Sequence, residues 1–199
     1  DIALLNRMYR DSRMRELTAH QTNARLEVKL GFLYALIVRM AEAQGLATKP
    51  DVMEMLGEAA VRVEVIRSTT RSAELQATVD DDNGVIYPDL TAVQAGRALG
   101  PVYYPELVAM VRRMGGGALV QQPVSMSEFD SPVADALERA LRGADISGVE
   151  KARLLKLAWD VCGSEFGARH VLYEMNYAGE RSAMVAGIHR EYSRKPDYL

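Results

Sequence analysis

Residues 157–179 read LAWDVCGSEFGARHVLYEMNYAG, and this stretch decides how the rest of the chain is understood. Its apolar residues recur every three or four positions, the period of an α-helix. It also holds Gly163 and Gly167, each of which costs a helix interior about 1 kcal/mol relative to Ala. On one continuous helix they share a face with His170 and Glu174, while Trp159, Cys162, Phe166 and Tyr173 form an adjacent apolar stripe. Something must offset the glycines. Either a neighbouring helix packs unusually close, or a ligand lies against bare backbone. A flat aromatic ligand suits the second reading, with Arg169 to neutralise phosphate and His170 to make one hydrogen bond. A tight helix crossing with a satisfied core histidine suits the first, and spacing alone does not separate them.

Working outward, Ser147-Gly-Val-Glu150 has the form of a capping box and is expected to open the long helix that carries this stretch. Upstream, a helix is predicted from about Met14 to Gln44, ending at Gly45, after a helical segment over Asp1 to about Arg10. Thr48-Lys-Pro-Asp51 starts another, with Met53, Leu56, Ala60, Val63, Ile66, Thr70, Ala73 and Ala77 on its apolar face. Extended to Val79 it would measure about 43 Å, the length of a bundle helix. The acidic turn Asp80-Asp-Asp-Asn-Gly84 breaks the pattern. Three prolines in the next 23 residues, at 88, 101 and 105, predict only short helices or extended pieces, with a modest helix from Tyr104 to Met114 and a flexible turn at Gly115-Gly-Gly117. Ser131-Pro132 reads as the N-cap and first position of a helix through Leu141. Strand patterns are scarce. The fold class is mostly α, a bundle of three or four long helices.

The chain has 199 residues, 48% of them hydrophobic, enough for one well-buried domain. A net charge of -3 supplies no basic field, which argues against nucleic acid and anionic membranes as partners. The longest apolar run, Leu30 to Val38, is too short to span a bilayer and reads as a helix buried on all sides. Cys162 is the single cysteine, so the chain forms no internal disulfide, and a reducing compartment, the cytoplasm, is expected. Because Asp1 opens within an amphipathic pattern, the sequence is expected to be a piece of a longer polypeptide.

Chemistry has a second place to reside. In Thr18 to Lys29, TAHQTNARLEVK, the residues Thr18, Thr22, Arg25 and Lys29 fall near one helical face and set two cations one turn apart. Such a face suits a phosphate, with Arg as a planar fork and Lys as a mobile charge. Charged helix faces are more often a solvated stripe, here tied to Glu27 and other local acids. His20, His170 and His189 have no metal-ligand spacing, and no metal is expected. Cys162 lacks a base and an orienting group, so a buried inert thiol is expected there.

Residues 157–179 resemble the C-terminal signature of the 4-hydroxyphenylacetate 3-hydroxylase oxygenase family. AHQTNARLEVKLGFLYAL, LGPVYYPELVAMVRRMGGGALVQQP and FDSPVADALERAL resemble further segments of that family, in the same order. The resemblance implies an acyl-CoA dehydrogenase-like C-terminal helical bundle over residues 1–199, with N-terminal helical and middle β domains elsewhere. It also implies the oxygenase component of a two-component monooxygenase. Such an enzyme uses reduced flavin from a separate reductase, and O₂, to hydroxylate a phenol such as 4-hydroxyphenylacetate or a chlorophenol. FAD is the implied cofactor, with FMN possible, and a homo-oligomer, dimer or tetramer, is implied as the assembly. Gly167, Ala168, Arg169 and His170 match the family's C-terminal flavin-contacting stretch. Arg25 lies in the helix that approaches flavin, with His20 and Lys29 as further candidates. No catalytic residue is carried over. Two other readings stay open: a non-catalytic helical scaffold, and a CoA-ester dehydratase of the same superfamily, which the absence of cysteine from His20 to Glu27 disfavours.

Overall fold

The computed structural model describes residues 1–192, so 193–199 of the expected domain lie outside the described residues. Three long helices form its frame. The second helix in the chain, α2 (Met14–Ala43), follows a short α1 (Ile2–Asn6) and a π-turn over Arg7–Asp11. Helix α3 is Pro50–Leu75, a two-residue hairpin pairs β1 (Thr78–Val79) with β2 (Ile86–Tyr87), and α4 is Leu90–Gly115. Beyond the 3₁₀ turns Gly116–Leu119 and Met126–Asp130 come α5 (Ala134–Leu141), α6 (Gly148–Cys162), α7 (Glu165–Asn176) and α8 (Arg181–Glu191). Among the described residues no helix is long and apolar enough to cross a membrane.

Helix α2 ends where its glycine requires. Gly45 adopts a φ of +68°, the left-handed conformation that closes a helix C-terminus and that L residues enter only with strain. Helix α3 starts as its Pro dictates, but its buried face is Val52, Met55, Ala59, Val63, Ile66, Thr70 and Ala73. In the first turns that face lies one position before the expected Met53, Leu56 and Ala60, because both adjoining rows are apolar and packing chooses between them. Met53 is exposed. The helix also stops at Leu75, and Thr78–Val79 turn into the hairpin. Leu30 to Val38 is not buried all round, since Phe32 and Ala35 face out.

The largest correction is α4. Pro101 and Pro105 both sit inside a continuous 26-residue helix. Each costs roughly 3 kcal/mol in a helix interior. Against that, Val93, Leu107, Val108 and Val111 are essentially fully buried among α2, α3 and α6, and each contributes about 1.5–3 kcal/mol. Burial wins. Gly96 and Gly100 permit the close approach, for a Cβ on Gly96 would fall 2.6 Å from the Asn23 amide nitrogen and one on Gly100 3.0 Å from a Leu26 methyl. The main core is then a contiguous cluster from α2, α3, α4 and α6, centred on Leu26, Leu30, Leu33, Ile37, Met40, Ile66 and Leu107, with a smaller cluster of Ala19, Ala73, Ala92 and Val93 beside it.

Two smaller differences follow from local capping. Ser131 ends a 3₁₀ turn and α5 begins at Ala134, while Gly116–Leu119 is an ordered 3₁₀ turn, Gly116 having a φ of +49°. The expected capping box at Ser147 and Glu150 is present, reinforced by Glu138, whose carboxylate accepts from the N–H groups of Gly148 at 2.8 Å and Val149 at 3.1 Å.

Candidate functional site

The stretch over 157–179 is two helices, not one. Helix α6 ends at Cys162, and Gly163 is its C-cap. Ser164 caps α7, its hydroxyl accepting from the Gly167 N–H at 3.1 Å, with Glu165 in the first turn where a carboxylate favours the helix dipole. Gly163 and Gly167 therefore do not share a helical face. A Cβ on Gly163 would run into the Trp159 indole, and one on Gly167 would fall onto the Val161 carbonyl and 2.7 Å from the Asp160 oxygen. Close packing of the chain on itself accounts for both glycines. The Cys162 carbonyl left over at the end of α6 accepts from Arg112 Nε at 2.8 Å. Burial pushes the Cys162 thiol above its ordinary range, against the nearby Arg112 cation, as suits an inert buried thiol.

This corner aims α7 across α2 and α4. Glu174 becomes buried, and its Oε1 accepts from the Arg25 guanidinium and from the Lys29 ammonium on α2. Lys29 Nζ also lies 2.8 Å from His170 Nε2. Around His170 the rings of Tyr104 and Phe166 have centroids 5.5 Å away and that of Tyr173 6.0 Å. Arg25 lies over the Tyr177 ring at 4.3 Å. Burial, then the Lys29 cation, lowers the His170 pKa, while Glu174 opposes them. Tyr104 is pushed up to about 12 by burial and then by Glu174, so its hydroxyl keeps its proton.

The result is a recess of about 170 Å³ lined by Lys29, Phe32, Tyr104, Val161, Phe166, Gly167 and His170. It adjoins a broad open groove along α7, lined by Glu165, Phe166, Arg169, His170, Leu172 and Tyr173. Two cations and one carboxylate leave the ionic cluster net positive, and the walls are aromatic. Such a surface is suited to a flat, acceptor-rich, anionic ligand. Among the described residues, the buried Arg25 Nε has no hydrogen-bond partner.

Of the residues singled out from the sequence, Lys29, Gly167 and His170 line this recess, and Arg25 joins them through Glu174. Arg169 lines the adjoining groove, exposed and without an ion-pair partner among the described residues. Ala168 is exposed on α7. His20 stands apart, its Nε2 lying 2.8 Å from Glu74 on α3. The partner of Arg25 is Glu174, not Glu27, which pairs with Arg67 at 3.0 Å. Thr18 and Thr22 return their hydroxyls to α2's own carbonyls. Phe32, Tyr104 and Tyr177 were missed by sequence reasoning. Tyr104 was legible in principle, since Gly96, Gly100, Tyr104, Leu107 and Val111 follow helical spacing once the prolines are allowed inside. Among the described residues no group of three or more His, Cys, Asp or Glu is placed to hold a metal ion.

Comparison with known proteins agrees with this architecture. The family model described as 4-hydroxyphenylacetate 3-hydroxylase C terminal matches residues 5–198. The 4-hydroxyphenylacetate 3-monooxygenase oxygenase component of Geobacillus sp. (strain PA-9) is 30% identical over 98% of this chain and 39% of its own length. A crystal structure of such an oxygenase component, complexed with FAD and 4-hydroxyphenylacetate, superposes with a TM-score of 0.91 at 30% identity, over 97% of this chain and 40% of that one. An archaeal 4-hydroxybutyryl-CoA dehydratase from N. maritimus shares the fold at a TM-score of 0.78 and 17% identity, over 90% of this chain and 36% of its own. The bundle is thus the acyl-CoA dehydrogenase-like helical bundle expected from the sequence. The chain spans about two fifths of the length of the relatives it matches. With a family model covering nearly all of it, the chain belongs to the 4-hydroxyphenylacetate 3-hydroxylase family, matching that family's C-terminal part.

Proposed function

We propose that residues 1–199 are the C-terminal helical domain of a flavin-dependent phenol hydroxylase, the oxygenase component of a two-component system. The recess between α2, α4 and α7 is its contribution to an FAD site. The observation that carries this reading is the net-positive, aromatic-walled cluster of Arg25, Lys29, Glu174, His170, Tyr104 and Phe166, in a chain of this family. The residues fit a flavin dinucleotide. Among the described residues Arg25 Nε has no acceptor and Arg169 no ion-pair partner, and Phe166 and Tyr173 line the groove with rings that suit a planar group.

When bound, reduced flavin supplies the activation of O₂ that lets one oxygen atom reach a phenol ring. The chain's own residues bind and shield. Arg25 and Lys29 offset negative charge on the ligand. Tyr104 stays a neutral hydroxyl at working pH, because its pKa stands near 12. Phe32, Val161 and Phe166 give the recess apolar walls from which a bound ring system would displace water. The phenol, whether 4-hydroxyphenylacetate or a chlorophenol, and a separate flavin reductase are the partners that the reading brings with it, and the cytoplasm is its compartment. Phe32 at 45%, Phe166 at 66% and Leu172 at 60% exposure also favour a homo-oligomer, dimer or tetramer, that covers these faces. Titration of FAD and of FMN into the complete protein, followed by flavin fluorescence, tests the reading. Saturable binding with FAD preferred supports it, and the lack of binding by either flavin refutes it.

A further inference from the structure

Glu174 is 3% exposed, and its Oε1 is shared by the Arg25 guanidinium and the Lys29 ammonium. Lys29 Nζ meets His170 Nε2 at 2.8 Å, while that same Nε2 is 3.6 Å from Glu174 Oε1. An ammonium carries donors only. A proton on Nε2 would set two donors against each other, so Nε2 accepts and the ring's one proton sits on Nδ1. The opposing arrangement is an imidazolium whose Nε2–H points at Glu174. It would place a third cation beside Lys29 and Arg25 of α2, with Glu174 as the one carboxylate and with Tyr104 of α4 and Tyr173 of α7 uncharged around it. Nδ1 has no protein hydrogen-bond partner among the described residues, which leaves its proton for a ligand in the recess that His170 lines.

We propose that Glu174 is a positioning residue: by anchoring Lys29 it fixes His170 as the neutral imidazole protonated on Nδ1, so that the ring offers a donor to a heteroaromatic ligand. The ligand class is a planar ring system with an acceptor at its edge, a carbonyl oxygen or an unprotonated ring nitrogen. In that last step the proposal rests on the reading of the recess as a flavin site. Lys29 is the working link, since among the described residues it alone touches both Glu174 and His170 as a donor.

Proton–nitrogen correlation spectra of the imidazoles in the complete protein, recorded without flavin, read the tautomer directly. Among the imidazole signals of the complete protein, the set lost in His170→Gln is that of His170. In the wild type His170 is expected to carry its proton on Nδ1 with Nε2 bare. Glu174→Gln is expected to return the mixed tautomers of an unrestrained imidazole, and Lys29→Arg to keep the Nδ1–H form. A wild-type Nε2–H form, or a Glu174→Gln spectrum that matches wild type, overturns the proposal. Should Glu174→Gln not fold, Lys29→Met takes its place with the same expected loss, since it leaves Glu174 paired with Arg25. Adding FAD then shifts the Nδ1 proton signal. A protein with the expected tautomer that takes up no FAD removes the flavin reading and leaves the tautomer assignment standing.

Discussion

Gly167 rests its α-carbon against the main chain of Val161, so closely that a Cβ there would lie 2.6 Å from the Val161 carbonyl carbon. The atoms in the way are backbone at the end of α6 and cannot rotate aside. Gly167→Ala is therefore expected to destabilise by about 1–3 kcal/mol, as overpacking does, although Ala is the better helix former by about 1 kcal/mol. Urea denaturation of wild type and variant checks it. A neutral or stabilising result would mean that the α6–α7 corner is looser than described.

The reason for this glycine was only half legible in the sequence. A close approach was read correctly from its presence in a helical pattern, but the approaching group proved to be the chain's own preceding helix. Ser164-Glu165 is a helix-start signal in the middle of an apolar period that runs on without a break, and the period masked it. Helix α2 could be bounded almost to the residue because Gly45 acts locally. Helix α4 could not, since what outweighs Pro101 and Pro105 is burial against the helices packed around it, a tertiary term with no local trace. The site behaved alike. Arg25 and Lys29 on one face of α2 were visible from spacing, whereas the acid between them comes from 149 positions further along.

Glu138 stands in for a capping residue at the start of α6 from outside that helix, accepting from two N–H groups that have no intrahelical acceptor. Glu138→Ala is expected to cost about 1 kcal/mol, with Ser147 still in place to bond the third position. Hydrogen exchange at Gly148 and Val149 should rise in the variant. Unaltered exchange there would show that the carboxylate contributes nothing to the cap.

His170 is held below its ordinary 6.5 by burial first and by Lys29 second. An unfolded chain therefore takes up this proton before the folded one does, and stability falls with pH in that window. The contribution is whole above about pH 6.5 and is lost as pH falls from there toward the depressed folded value. Denaturation midpoints near pH 7.5 and near pH 5.5 should differ less in His170→Gln than in wild type, with every other titrating group common to both. Equal differences would show that His170 ionises as easily folded as unfolded.

The recess between α2, α4 and α7 is the proposed flavin site. Equilibrium titration of FAD into the complete wild-type protein, Arg169→Ala and Lys29→Met, with circular dichroism to confirm that each is folded, tests it most directly. Loss of either cation is predicted to weaken FAD at least about tenfold, the equivalent of about 1.4 kcal/mol. Two folded variants that bind FAD as tightly as wild type would contradict the claim.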